Sequence, residues 1–149
     1  MSILPFMWVD AFTARPFAGN PCVVVFDADG LNPEQMLAVA KEMGLSETAF
    51  VLKSKTADFA ARYFTPEQEI PLAGHPTIAT IHALIQSGRW KPKGETDTIN
   101  LELPAGVISV GIDYRVGKSA IITMSQKKPN FLATLDASTV LPIFGLKSE

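Results

Sequence analysis

The stretch Pro76-Thr77-Ile78-Ala79-Thr80-Ile81-His82-Ala83-Leu84-Ile85-Gln86 decides how this chain folds. Its spacing predicts a helix that ends at Ser87-Gly88. Ile78, Ala79, Ile81, Ala83, Leu84 and Ile85 do not mark one stripe but wrap most of the way round the helix. A helix that is apolar on nearly all sides is surrounded by protein. The remaining segments must supply its walls.

Those walls read as strands. Ile3 to Ala11, Cys22 to Phe26, Ala49 to Lys53 and Asp58 to Phe64 lie before the helix; Thr98 to Leu103, Gly106 to Ile112 and Ser119 to Ser125 follow it. The first two are joined by Thr13 to Pro21, a turn dense in proline, glycine and asparagine, and the last two by Gly111 to Lys118. A second helix starts at Asn32-Pro33-Glu34-Gln35. Asn32 is its cap, Pro33 fits the first helical position and Gln35 completes a capping box. Met36, Val39, Ala40 and Met43 recur on one face, and Gly44 stops the helix. About seven strands, one peripheral helix and one enclosed helix predict an α+β fold, a curled sheet around a central buried helix. Regular alternation of strand and helix, which a doubly wound parallel fold needs, is missing.

Composition narrows the function. The chain has 149 residues, 47% of them hydrophobic, enough for one core. A net charge of -2 gives no basic excess to track a phosphate backbone, so no nucleic-acid partner is expected. The lone cysteine, Cys22, reads as a small apolar strand residue. The start of the chain lacks the pattern of a signal peptide. No run reaches the roughly 18 apolar residues of a membrane span, so a cytoplasmic protein without a membrane partner is expected.

Three short segments carry candidate chemistry. In Leu72-Ala73-Gly74-His75-Pro76-Thr77, proline marks the expected first turn of the enclosed helix. The glycine leaves room for a ligand. Free N–H groups and the positive end of the helix dipole suit a carboxylate, with His75 at the mouth. A histidine that merely packs fits the same residues equally well. In Leu45-Ser46-Glu47-Thr48-Ala49-Phe50, Glu47 stands between a helix end and an apolar strand. Burial there would raise its pKa towards neutrality and suit it to carry protons. An exposed turn glutamate is the plainer reading of those residues alone. Asn20, in Gly19-Asn20-Pro21, reads first as turn chemistry and second as an amide offered to a ligand. Arg62 could meet a carboxylate or be a solvated charge, and His82 reads as a core histidine. Two histidines seven positions apart make a metal site improbable.

Together these blocks say more than any one of them. Val9-Asp10-Ala11-Phe12-Thr13, Pro16-Phe17-Ala18-Gly19-Asn20-Pro21, Leu45-Ser46-Glu47-Thr48-Ala49-Phe50, Arg62-Tyr63-Phe64-Thr65-Pro66 and Ala73-Gly74-His75-Pro76-Thr77 resemble, in order, the N-terminal signature of the PhzF-like phenazine-biosynthesis family. The resemblance implies a diaminopimelate-epimerase-like lobe, a curled, mostly antiparallel sheet around a central helix. It implies that Glu47 is the catalytic acid/base, and that Asn20, Gly74, His75 and Thr77 bind substrate. The expected reaction is proton transfer between carbons of a small carboxylate, with no metal, nucleotide or redox cofactor. Epimerases of this fold carry a cysteine where this chain has Ala73, so two-cysteine racemisation is not expected. The resemblance also divides the chain into a lobe over residues 1–128 and, over 129–149, a crossover and the start of a second, absent lobe. A homodimer is expected to complete the cleft. The alternative is a non-catalytic module that binds small anions or serves assembly.

Overall fold

The computed structural model describes residues 3–114, 120–126 and 128–147. β1 (Phe6–Ala11) and β2 (Asn20–Val25) form an antiparallel hairpin in which Trp8 pairs with Val23 and Ala11 with Asn20. α1 (Pro33–Met43) starts as its sequence predicts. Gln35 N donates to Asn32 Oδ1 and Asn32 N donates to Gln35 Oε1, closing the capping box. Gly44 ends the helix at φ 65°, a left-handed conformation that costs glycine nothing in Cβ sterics.

β3 (Thr48–Leu52) then runs parallel to β2 and antiparallel to β4 (Phe59–Phe64). The two-residue β5 (Glu69–Ile70) pairs with β4 just before α2 (Gly74–Gln86). After α2, β6 (Thr96–Leu103) returns parallel to β4, and β7 (Gly106–Asp113) and β8 (Ile121–Met124) follow in antiparallel steps. The path is β1-β2-β3-β4-β6-β7-β8, with β5 beside β4.

α2 touches β1, β2, β3 and β8. Both ends of the strand path thus come back to one helix, which the curled sheet encloses. Ala79, Ile81, Ala83 and Leu84 of α2 share a core with Cys22, Val24, Ala49, Val51, Ala61 and Tyr63. The other face of the same strands, through Val23, Val25, Phe50 and Phe64, packs on Met36 and Ala40 of α1. With a helix against each face, β2 has no polar side, which is why it reads as a continuous apolar run.

Several boundaries differ from the sequence reading, each for a local reason. The first strand begins at Phe6, and Ile3 is exposed. Asn20 opens β2 instead of lying in the turn, which shortens to residues 12–19. β5 is an eighth strand, too short to leave a pattern in sequence. α2 starts two residues before Pro76, so proline is its third residue. Proline is tolerated there because a first-turn N–H has no partner within the helix anyway. β7 reaches Asp113, while residues 115–119, part of the expected connection and last strand, lie outside the described residues. Beyond β8 the chain adds a helical turn, α3 (Ala137–Val140), and a 3-10 turn at Leu141–Phe144. No described residue from 125 onward is buried. Among the described residues, no helix is long and apolar enough to cross a membrane.

Candidate active site

Strand alternation aims the first candidate. Ala49 and Val51 face α2 while Phe50 faces α1, and a period of two puts Glu47 on the α2 side. His75 is the second residue of α2, in its first turn. Glu47 Oε2 and His75 Nε2 lie 3.4 Å apart, with the side chains 21% and 7% exposed. That separation permits a charge interaction, but Nε2 has no hydrogen-bond partner. Cys22 lies near the same carboxylate. Burial pushes its thiol up to about 12; a backbone hydrogen bond at Ala49 partly offsets this, and the charge of Glu47 adds to it. Cys22 is therefore an unreactive wall residue, as a buried thiol in apolar surroundings should be.

The start of α2 is held from behind. Its N-cap, Ala73, is extended and makes no side-chain cap, so the first-turn N–H groups at Gly74 and His75 are not consumed by one. Thr77 Oγ1 donates to the Ala73 carbonyl at 2.7 Å and lies 2.9 Å from the Tyr63 hydroxyl. The carbonyl can only accept, so the single Thr77 hydrogen goes to it, and Tyr63 must donate to Thr77. Thr77 was expected to bind substrate through the family resemblance. The structure buries its side chain completely, and its hydroxyl bonds Ala73 and Tyr63 at the helix start.

The other candidates separate. A Cβ added to Gly74 would lie 3.9 Å from Gln126 Nε2, which places this amide beside the helix mouth. Sequence reasoning passed over Gln126, which was read only as part of a crossing segment. Asn20 is exposed at the start of β2, and the parallel β2–β3 pairing puts it at the same end of the sheet as Glu47. Arg62 finds its carboxylate inside the chain: Nε and Nη2 both donate to Glu69 at 2.6 Å. This bidentate pair ties β5 to β4.

A further concavity lies elsewhere. A groove of about 740 Å³ between β1, α2 and β8 is lined by Met7, Val9, Ala11, Ile78, His82 and Ile122 among others. His82 is half-buried there, and burial lowers its pKa, favouring the neutral ring. No His/Cys/Asp/Glu cluster able to hold a metal occurs among the described residues. Convergent chemistry favours Glu47, His75 and the start of α2. We take that place as the candidate site, because a carboxylate, a buried imidazole and the uncapped first turn of a helix converge there.

Residues 9–140 match the phenazine biosynthesis-like protein family, PhzC-PhzF. The chain belongs to that family. It is 38% identical over 141 residues to an uncharacterized isomerase, YfhB, of Bacillus subtilis, covering 94% of this chain and 47% of that protein. It is 35% identical over 142 residues to the trans-2,3-dihydro-3-hydroxyanthranilate isomerase of Pseudomonas aeruginosa, covering 95% and 49%. The crystal structure of a PhzF-family phenazine biosynthesis protein from Bacillus anthracis superposes with a TM-score of 0.75 at 40% identity, over 83% of this chain and 40% of that one. This PhzF-like chain therefore spans about half the length of the curated relatives it matches. Its curled sheet around an enclosed helix is a diaminopimelate-epimerase-like lobe. The sheet is mixed, with parallel pairings at β2–β3 and β4–β6 among antiparallel ones.

Proposed function

We propose that this chain is the isomerase lobe of a cofactor-independent, cytoplasmic PhzF-like enzyme that moves a proton within a small carboxylate substrate. The observation that carries this reading is the 3.4 Å approach of Glu47 to His75 at the uncapped start of α2. The substrate carboxylate binds the first-turn N–H groups at Gly74 and His75, where the helix dipole favours an anion by up to about 2 kcal/mol when partly buried. Glu47 takes a proton from one substrate carbon as its carboxylate and returns it to another as the acid, so no net charge or redox change results. His75 Nε2 hydrogen-bonds the substrate beside the carboxylate, and Asn20 reaches it from the same end of the sheet. A second lobe, or a second copy in a homodimer, closes the cleft.

The relative's substrate, trans-2,3-dihydro-3-hydroxyanthranilate, is the first to test, by incubating it with the chain in deuterated water. Deuterium entering a ring carbon is the expected result, with Glu47→Gln lowering the rate by about 10²- to 10⁴-fold. Exchange that survives Glu47→Gln would overturn the role of Glu47. Benzoate binding at Gly74 and His75 with no exchange would instead favour the non-catalytic anion-binding module.

A further inference from the structure

We propose that Tyr63 is a positioning residue of this site, acting through Thr77 on the first turn of α2; the inference rests on the functional reading above. α2 needs its start held, because Ala73 has no side-chain oxygen to cap it. An ordinary N-cap would accept from a first-turn N–H and so compete with an anionic ligand for the same donors. The chain uses the carbonyl side instead. Tyr63 Oη donates to Thr77 Oγ1 at 2.9 Å, and Thr77 Oγ1 donates to Ala73 O at 2.7 Å. This relay anchors the helix start to β4 and consumes none of the N–H groups that face the ligand.

The sheet explains why the anchor falls there. Tyr63 pairs across the strands with Ala49, two residues beyond Glu47, and shares its inward face. One strand register therefore sets where Glu47 stands and where the Tyr63 hydroxyl meets α2. His75, two residues before Thr77 in the same turn, is held at its 3.4 Å from Glu47 by this common reference. Tyr63 is fully buried, so its hydroxyl has no water to compete for the bond. Burial also raises its pKa above the usual tyrosine range, keeping the donor proton in place.

The test uses the whole chain with benzoate as the probe, following backbone amide shifts by NMR. Tyr63→Phe should weaken benzoate binding by roughly five- to tenfold, the equivalent of one lost hydrogen bond. It should also displace the Gly74 and His75 amide resonances before any ligand is added. Thr77→Val should do the same, and the double variant should be little worse than either, because both break one relay. Asn32→Ala, which loosens the distant α1 cap, controls for general destabilisation and should leave benzoate affinity and both resonances unchanged. Unchanged affinity and unchanged Gly74 and His75 resonances in Tyr63→Phe would overturn the proposal, as would equal effects from Asn32→Ala. If the unmodified chain fails to bind benzoate, the anion-site reading falls, and the ligand-free resonances still decide whether Tyr63 positions the helix start.

Discussion

Cys22 and Tyr63 both lie on the sheet face that meets α2, and both hold a proton more tightly folded than unfolded. Burial is the main cause in each case, carrying Cys22 from 9.0 to about 12 and raising Tyr63 above its ordinary 10.0. A raised folded pKa stabilises fully below the unfolded value, and the stabilisation is lost as pH climbs towards the folded one. The unfolded chain releases these protons first, so stability should fall from about pH 9 upwards. At pH 11, Cys22 lies about two units above its unfolded value and Tyr63 about one. Together that is a loss on the order of 4 kcal/mol. Urea unfolding at pH 8 and pH 11 checks it, and Cys22→Ala should flatten the decline by roughly two thirds. Equal stability at both pH values would show that neither proton is held by the fold. The sequence reading of Cys22 as a buried strand residue anticipated its environment, since a five-residue apolar run leaves little choice. The Arg62–Glu69 pair was illegible by comparison, because the pairing depends on β5, which leaves no periodic trace.

At the scale of elements, the β1–β2 hairpin shows how a backbone detail places a site residue. Gly19 precedes Asn20, and a Cβ there would meet the Ala11 carbonyl at 2.4 Å and Thr13 Cγ2 at 2.6 Å. The loop is further fixed by Phe17 N donating to Asp10 Oδ2 at 2.7 Å. Gly19→Ala should therefore force the two strands apart, at a cost of about 1–3 kcal/mol. For a chain of this size that is a fall in Tm of roughly 2–4 °C for each kcal/mol, read by thermal unfolding. A variant as stable as the original would mean the hairpin can shift freely, and Asn20 with it. α1 was readable to its first and last residue because capping box and glycine stop are local signals. α2 was readable as enclosed because its apolar residues surround it, yet its start was misplaced: Gly74 and His75 carry no start signal, whereas Pro76 does. The meeting of Glu47 with His75 depends on the β3 register and on α2 crossing that sheet face. Periodicity shows which way Glu47 points but not what lies opposite, and only the family resemblance joined the two.

At the scale of the molecule, one sheet that begins and ends against the same helix has its two edges at β1 and β8 among the described residues. β1 and β8 flank the groove of about 740 Å³, and both edges present apolar side chains. Phe6 and Trp8 on β1 are about half exposed, and Ile121 on β8 is more so. Free edges are usually protected by charge, especially lysine, yet β1 carries only Asp10. The segment after β8 adds exposed Phe131, Leu132 and Leu135. Large exposed apolar side chains are the kind of surface that a partner covers. The chain should therefore associate with a second copy through β1, and an antiparallel β1–β1 pairing would give the two-fold symmetry that most homodimers have. A six-residue strand pair alone falls short of the roughly 1,200 Å² of a stable interface, so the flanking aromatic side chains must contribute. Sedimentation across a wide concentration range should show reversible growth in mass. Trp8→Lys should suppress it by placing a charge on the edge, whereas Val107→Lys, on β7 inside the sheet path, should not. Association that persists unchanged in Trp8→Lys would move the contact away from β1. A constant monomer mass at every concentration would end the homodimer reading and leave closure of the cleft to a second lobe.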